Sequence, residues 1–530
     1  MELRTAPIHR YAWISREYNV WLALLFVAML ALPALGWWFG WQGAVLEENR
    51  NLAPVPDFRH GSLATLPAAI DAYYDDHVGF RGAMIRLLGL TLHQMLHQTS
   101  ERVIIGKSPG GGEPRWYFYA SEGIVEDRLG LGQFSSIELE NWKRSLESRA
   151  AWLQRRGIAY LFVVMPEKSS VYPELLPDYL RNQLGPTRRD QLREHLKANR
   201  SPVHFLDVNE RLTRVKSDGL LFFPFDTHWN GMAAFHTYRA IWDEMRAWIS
   251  GLPPRQMGRD FEIRMAPETL RVGLASMLGL KAAMPTPVLA YIGPDPPKAA
   301  AAKWPDGLDH AMNPSTAISA LETASQRGRL LVFHDSAFVA GLFTPESQPL
   351  ATGFARSYFA WLPPSDLALR RFVEMEHPDL VVEEQSEHLL RLTPPPPAPL
   401  DPVTPSLTRA PGAPAFSIER INTKRARPDA AVARNGELRI EGWAFDQLAG
   451  RPAGGVELTI DGVAHAASYG GLAPAGELSP PTCDGCRYVR FLGDYPVIGL
   501  SIGPHILGIR VISASGANYS EVVWGRFVVK

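Results

Sequence analysis

The chain has 530 residues, too many for one hydrophobic core, so two or three domains are expected. A hydrophobic share of 46%, with 15 Trp and 23 Phe, belongs to a folded protein rather than a disordered one. The formal net charge of -1, without a dense Lys/Arg run, leaves nucleic-acid binding unsupported.

The N-terminus sets the compartment. Residues 20–39 carry no charge, and their centre is almost wholly Leu, Ala, Phe, Val and Met. An apolar stretch of about 20 residues can cross a bilayer. Arg4, Arg10 and Arg16 precede it, and Trp37, Trp38 and Trp41 follow where an aromatic belt would lie. The positive-inside rule then makes residues 1–18 a cytoplasmic tail and 19–40 a transmembrane anchor, with everything later exported. The rival is a cleaved signal peptide, whose apolar core is shorter and ends at a small-x-small site that Gly36-Trp37-Trp38 does not supply. The expectation is an uncleaved anchor.

Residues 64–98 read as helical, centred on Tyr73-Tyr74-Asp75-Asp76-His77-Val78-Gly79-Phe80-Arg81. Gly106-Lys107 and residues 116–119 suggest a short strand pair around Gly110, Gly111 and Gly112. A helix over 135–156 leads into the apolar run 159–166, ended by Pro166, which has the pattern of a parallel strand buried on both faces. The same alternation continues with a helix at 187–199 and a strand at 203–207. A helix-like stretch follows at 232–248, then strands at 329–333 and 380–383. This is an α/β layered domain with a mainly parallel sheet, placed at residues 45–392. Within it, Pro- and Ala-rich residues 253–310 are expected to lie outside the sheet.

Residues 393–414 are Pro-rich without apolar periodicity and read as a linker. Beyond it, alternation at 436–445, 456–460 and 505–511, with turns such as Asp461-Gly462, predicts an all-β sandwich module over 415–530. Its Trp443, Tyr469 and Tyr495 are candidates for a sugar-stacking platform, against the plainer reading as core aromatics. Cys483 and Cys486, the only cysteines, are too few for a zinc site and are expected to form a local disulfide in an oxidising compartment. A redox-active pair would need a thioredoxin-like context that is absent here.

Two segments carry chemistry. Asp226-Thr227-His228-Trp229 follows an apolar run and precedes a helix-like stretch, where functional loops of α/β sheets lie. Alone, such a pair is as readily a capping acid with a satisfied histidine. His334-Asp335-Ser336-Ala337 comes directly after a strand, so Ser336 could present its hydroxyl beside backbone N–H donors, or simply cap a helix. Together the segments supply a nucleophile (Ser336), a base (His228) and an orienting acid (Asp226). The backbone N–H of Ser336 or Ala337 and the side chains of Arg356 or Tyr358 are candidate oxyanion or substrate contacts. Lys168, Glu383, Glu384 and Glu387 read as a solvated charged rim.

Over residues 45–392 these motifs resemble the SGNH-hydrolase-like domain of the AlgJ/AlgX-type alginate O-acetyltransferase family. The resemblance rests on Asn49-Arg50 with Leu52 and Pro54, on residues 75–81, on Pro166-Glu167-Lys168 with Tyr172-Pro173, and on the order of Asp226, His228 and Ser336. It departs from the family's pattern at His334, where a small residue is usual. The resemblance implies O-acetyl transfer onto an exported polysaccharide without a cofactor, from a periplasmic domain anchored in the inner membrane. A membrane-bound O-acyltransferase is the implied acetyl source. Three rivals stand beside it. A simple acetyl esterase has the same triad, and a non-catalytic glycan-binding scaffold has the same fold. A metallohydrolase would use Asp226, His228, His334 and Asp335, with His236 nearby, but lacks its usual Gly-Asn-His and Gly-His-x-His companions.

Overall fold

In the computed structural model, apolar runs become buried strands and amphipathic runs become helices beside them. The structure describes residues 11–39, 52–58, 65–92, 101–112, 115–247, 262–267, 273–280, 288–293, 300–302, 319–323, 328–339, 350–361, 366–392, 402–434, 436–471 and 489–530. They fall into two compact units, the first made of Met1–Ser121, Pro224–Thr227 and Thr269–Pro287, and the second of the rest.

The first unit contains helices α1 (Tyr11–Trp38), α2 (Leu66–His77) and α3 (Arg81–Leu90), and an antiparallel pair, β1 (Val103–Ile105) with β2 (Tyr117–Tyr119). The helical stretch expected over 64–98 is broken between α2 and α3: Val78 leaves the helical conformation after α2, and Phe80, with a φ of 60°, stands directly before α3. Val103, Tyr117, Phe225, Leu274, Ala275 and Leu280 form its core. Along α1, Val20, Leu24, Leu25, Val27 and Met29 are more than half exposed. The described side chains of this helix run unbroken only over residues 18–33, and among the described residues no helix is long and apolar enough to cross a membrane. The anchor thus remains an expectation from the sequence.

In the second unit, helix α4 (Ser136–Gln154) starts at a capping box: Ser135 accepts from Glu138 N–H, and Glu138 accepts from Ser135 N–H at 2.8 Å. The strands that follow are β3 (Ala159–Met165) and β4 (His204–Asp207), then β5 (Glu262–Pro267), β6 (Val288–Gly293), β7 (Ala300–Ala301) and β8 (Ser319–Glu322), and finally β9 (Arg329–His334), β10 (Arg356–Trp361) and β11 (Leu380–Ser386). One seven-stranded sheet has the order β4-β3-β11-β9-β10-β8-β7. Its first five strands are parallel, while β8 and β7 are added antiparallel, so the sheet is mixed. Of the described residues within 253–310, β5 and β6 form a separate pair outside the sheet, but β7 belongs to its edge. Helices α4, α6 (Arg188–Ala198) and α9 (Asp366–Glu376) cover one face. There Trp142, Leu146, Trp152, Leu192, Phe372 and Val373 pack on Phe162, Val164, Leu331, Phe333 and Val381. Between β3 and α6 lies a single turn, α5 (Lys168–Val171), and after β4 comes α7 (Gly231–Arg246).

The C-terminal region is β-rich. Its strands are β12 (Thr408–Arg409), β13 (Ala415–Ile421), β14 (Lys424–Arg425), β15 (Ala430–Val432), β16 (Glu437–Asp446), β17 (Arg451–Pro452), β18 (Gly455–Ile460), β19 (Val463–Gly471), β20 (Arg490–Pro496), β21 (Gly503–Ile512) and β22 (Asn518–Val529). The first half of β19 pairs with β18 and its second half with β20, so this strand carries the chain from one sheet to the other. Inward-facing residues such as Ile440, Leu458, Tyr469, Tyr495, Ile509 and Phe527 close the core between them. Tyr469 donates to Ala444 O at 2.7 Å and Tyr495 is buried, so these two aromatics are core and form no sugar platform. The described part of the expected linker, from residue 402, is held to the β-rich region. Thr404 is buried, its N–H donating to Glu457 at 3.0 Å, and β12 adds to β22. Cys483 and Cys486 lie outside the described residues.

Candidate active site

His228 stands at the end of a short hairpin whose backbone is tied twice. Phe223 N–H donates to His228 O at 3.2 Å, and Asn230 N–H donates to Leu221 O at 2.9 Å. The fully buried Asn230 side chain links this hairpin to α7. Its Oδ1 accepts from Met232 N–H (3.0 Å) and Ala233 N–H (3.3 Å), and its Nδ2 donates to Leu220 O at 2.6 Å. Lys168, on the turn after β3, reaches in to donate to Phe223 O at 2.7 Å.

The second element is the exit of β9. His334 and Asp335 are buried, and exposed Ser336 opens the single turn α8 (Ser336–Val339), with Ala337 next. His228 Nε2 lies 3.4 Å from Ser336 Oγ, although the two residues are 108 apart in sequence. That is long for a hydrogen bond, as is common for catalytic pairs before substrate arrives. Asp226 belongs to the first unit, where its buried Oδ2 accepts from Gly273 N–H at 2.7 Å.

His334 is packed against Phe338 with ring centroids 5.8 Å apart, and burial lowers its pKa, favouring the neutral ring. The bulky residue at this position is therefore part of the apolar support under the turn. Among the described residues, no group of three His, Cys, Asp or Glu side chains is arranged to hold a metal ion.

Two expectations about nearby groups need correction. Arg356 and Tyr358 are not brought to Ser336. They pair with Arg329 and Leu331 in parallel register, whereas Ser336 follows the far end of β9 at His334. At about 3.3 Å per residue, Arg356 starts some five residues, or about 16 Å, upstream along the strands. There Arg356 lies 3.5 Å from Glu322, and Tyr358 packs on Phe372.

The supposed charged rim is buried. Lys168, Glu383, Glu384 and Glu387 are all at most 2% exposed, because each has a partner in the fold. Glu383 accepts from Arg149 at 2.6 Å and from Tyr160 at 2.8 Å. Glu387 accepts from Ser170 at 2.6 Å and from Glu167 N–H at 3.0 Å, with Arg189 at 3.3 Å. Burial alone would raise the Glu387 pKa, but the Arg189 and Arg128 guanidiniums outweigh it and hold the carboxyl below its usual range. His388 follows the same logic: burial works against its charge, yet Glu167, 2.6 Å away, holds it up at about 9. Two acids side by side inside an apolar strand were a sequence signal of burial with dedicated partners. Asn230 ahead of a helical run was likewise a legible N-cap.

Residues 111–291 match the family described as SGNH hydrolase-like domain, acetyltransferase AlgX. The chain carries an AlgX-type SGNH hydrolase-like domain. The AlgX-type match takes in Asp226 and His228 and ends before Ser336. Among solved structures the chain is similar to the O-acetyltransferase domain of Pseudomonas putida AlgJ, with 17% identity and a TM-score of 0.33 over 55% of this chain and 92% of that one. It is also similar to Pseudomonas aeruginosa AlgX, with 11% identity and a TM-score of 0.35 over 79% of this chain and 89% of that one. No curated protein sequence matches significantly.

Proposed function

We propose that this chain is an O-acetyltransferase that modifies hydroxyl groups of an exported polysaccharide. The observation that carries the reading is the approach of His228 Nε2 to Ser336 Oγ, 3.4 Å apart, at the exit of β9. In this reading His228 takes the Ser336 proton while Oγ attacks the acetyl carbonyl of a donor. Collapse of the tetrahedral intermediate breaks the donor's acyl bond, and His228 returns the proton to the leaving group. A sugar hydroxyl, deprotonated by His228, then attacks acetyl-Ser336; the ester passes to the sugar and Oγ recovers the proton. Asp226 is assigned the orientation of His228 from the Asp-Thr-His-Trp pattern.

The same proposal covers the setting. Helix α1 serves as a single-pass inner-membrane anchor, its uncharged stretch preceded by Arg4, Arg10 and Arg16. The catalytic domain then faces the periplasm, and a membrane-bound O-acyltransferase supplies acetyl groups. The β-rich C-terminal region is proposed to hold the glycan.

The test is incubation of the detergent-solubilised full chain with an aryl acetate, followed by peptide mass spectrometry. An acetyl adduct on Ser336, absent in Ser336→Ala, and its discharge onto added oligosaccharide are expected. Equal adduct in the Ser336→Ala chain would overturn the covalent mechanism. Discharge to water alone in the presence of acceptor would make the protein an esterase, and no adduct at all would leave a scaffold.

A further inference from the structure

Behind the Ser336 turn two carboxyl groups meet. Glu384 on β11 is fully buried, and its Oε2 accepts the backbone N–H of Asp335 at 3.0 Å. Asp335, 4% exposed, returns the contact: its Oδ2 accepts Ser386 N–H at 2.7 Å. The parallel register of β11 and β9 sets Glu383 beside Phe333, so Glu384 and Asp335 lie at the same end of the sheet. The other Glu384 oxygen, Oε1, is buried without a donor. A buried carboxylate oxygen left unsatisfied is costly, and two facing carboxylates cost more.

We propose that Glu384 and Asp335 share one proton, and that this acid pair is the clamp that positions the Ser336 turn and releases it when the proton is lost. The clamp's catalytic role rests on Ser336 being the nucleophile proposed above; the shared proton does not. Glu384 is a positioning residue here, since it acts through the backbone of Asp335 rather than by touching substrate. The electrostatics agree: burial and then the charge of Asp335 raise the Glu384 pKa well above the ordinary value of 4.5, with the side-chain hydrogen bond between them in the same sense. The other titratable or charged groups at this end of the sheet are His334 beside Asp335, Glu387 and His388 beyond β11, Glu167 and Lys168 beyond β3, and His228 on the hairpin. His388, held up at about 9 by Glu167, is the one whose own titration would also be read at alkaline pH.

The sign follows from linkage. Below about 4.5 Glu384 is neutral in both the folded and the unfolded chain. As pH rises past that value the unfolded chain ionises Glu384 and the folded one does not, so stability is lost progressively until the raised folded pKa is reached. Glu384→Gln cannot ionise and escapes this loss.

The experiment uses the detergent-solubilised full chain, as wild type and as the Glu384→Gln, Glu384→Ala and His388→Gln variants. Melting temperature and the rate of Ser336 labelling by a fluorophosphonate are followed from about pH 4 to pH 9.5, a range that spans the ordinary carboxyl and imidazole titrations. The melting temperature of Glu384→Gln relative to wild type is expected to climb as pH increases. The alkaline fall in labelling is expected to move up by about one pH unit or more in Glu384→Gln, and not in His388→Gln. Glu384→Ala should label about tenfold more slowly or worse, with Glu384→Gln restoring most of the rate. A melting difference that does not vary with pH, or an alkaline limb that follows His388 instead, overturns the proposal. Absence of Ser336 labelling in wild type, with the pH-dependent melting difference intact, would instead sink the nucleophile assignment and the clamp's catalytic role while upholding the shared proton.

Discussion

At the residue scale, the two groups that meet at the site are unequal in what their removal should do. Ser336→Ala removes the hydroxyl proposed to accept the acetyl group and should abolish the adduct. His228→Asn keeps the shape of the hairpin and removes the proposed base, so acyl transfer should fall about 10²- to 10⁴-fold, read as the initial rate with an aryl acetate. Away from the reaction, the buried pairing of Glu387 with Arg189 gives a stability prediction. Arg189→Met strands a buried carboxylate and should cost about 3–5 kcal/mol near neutral pH by denaturant titration. Glu387 has its folded pKa lowered, so its contribution is present above about 4.5 and is lost as pH falls through the lowered value. The penalty of Arg189→Met should therefore shrink in acid, and a penalty constant with pH would count against the pairing.

At the element scale, the hairpin that bears His228 is held by its own Asn230 and by Lys168 from outside it. Asn230 caps α7 while bonding Leu220 O, and Lys168 bonds Phe223 O from the turn after β3. Asn230→Ala should cost about 1–2 kcal/mol from the lost cap. It should also lower turnover with little change in KM, because His228 moves relative to Ser336 and the remaining contacts do not. Lys168→Met tests the second tether by the same split, with Lys168→Arg the conservative control; a pure stability loss without a turnover defect would assign Lys168 to packing alone. Much of this was legible in the sequence. The runs ending at Met165 and Phe333 announced parallel strands because both faces are buried, and Ser336 stood where such a strand ends; Asp226 and His228 lie instead on a hairpin closed by the Phe222–Trp229 bridge. Arg356 and Tyr358 were misplaced because nothing in the sequence says at which end of β10 a residue emerges until its register with β9 is known. Glu383, Glu384, Glu387 and Lys168 were misread because composition assigns charges to the surface, whereas here Arg149, Tyr160, Asp335, Arg189 and Phe223 O take them inward.

At the scale of the whole molecule, the seven-stranded sheet and the C-terminal β-rich region fall in one compact unit. Arg144 on α4 lies over the Tyr469 ring at 6.0 Å, and a side chain at Gly470 would run into its guanidinium. The two regions should accordingly unfold together, as one calorimetric transition, and Arg144→Ala should lower it by about 0.5–1 kcal/mol. Two well-separated transitions would show that the β-rich region folds on its own. The adjacent acids of β11 have a consequence for how this sheet is assembled. Glu383 points to the face where Arg149 waits, and Glu384 to the face where Asp335 does, so neighbouring carboxyls have incompatible environments on opposite sides of one strand. If β11 docked one residue out of step, the arginine would face the wrong acid and a carboxylate would be driven into the apolar layer. A misregistered intermediate is therefore penalised twice, and β11 proofreads its own alignment during folding.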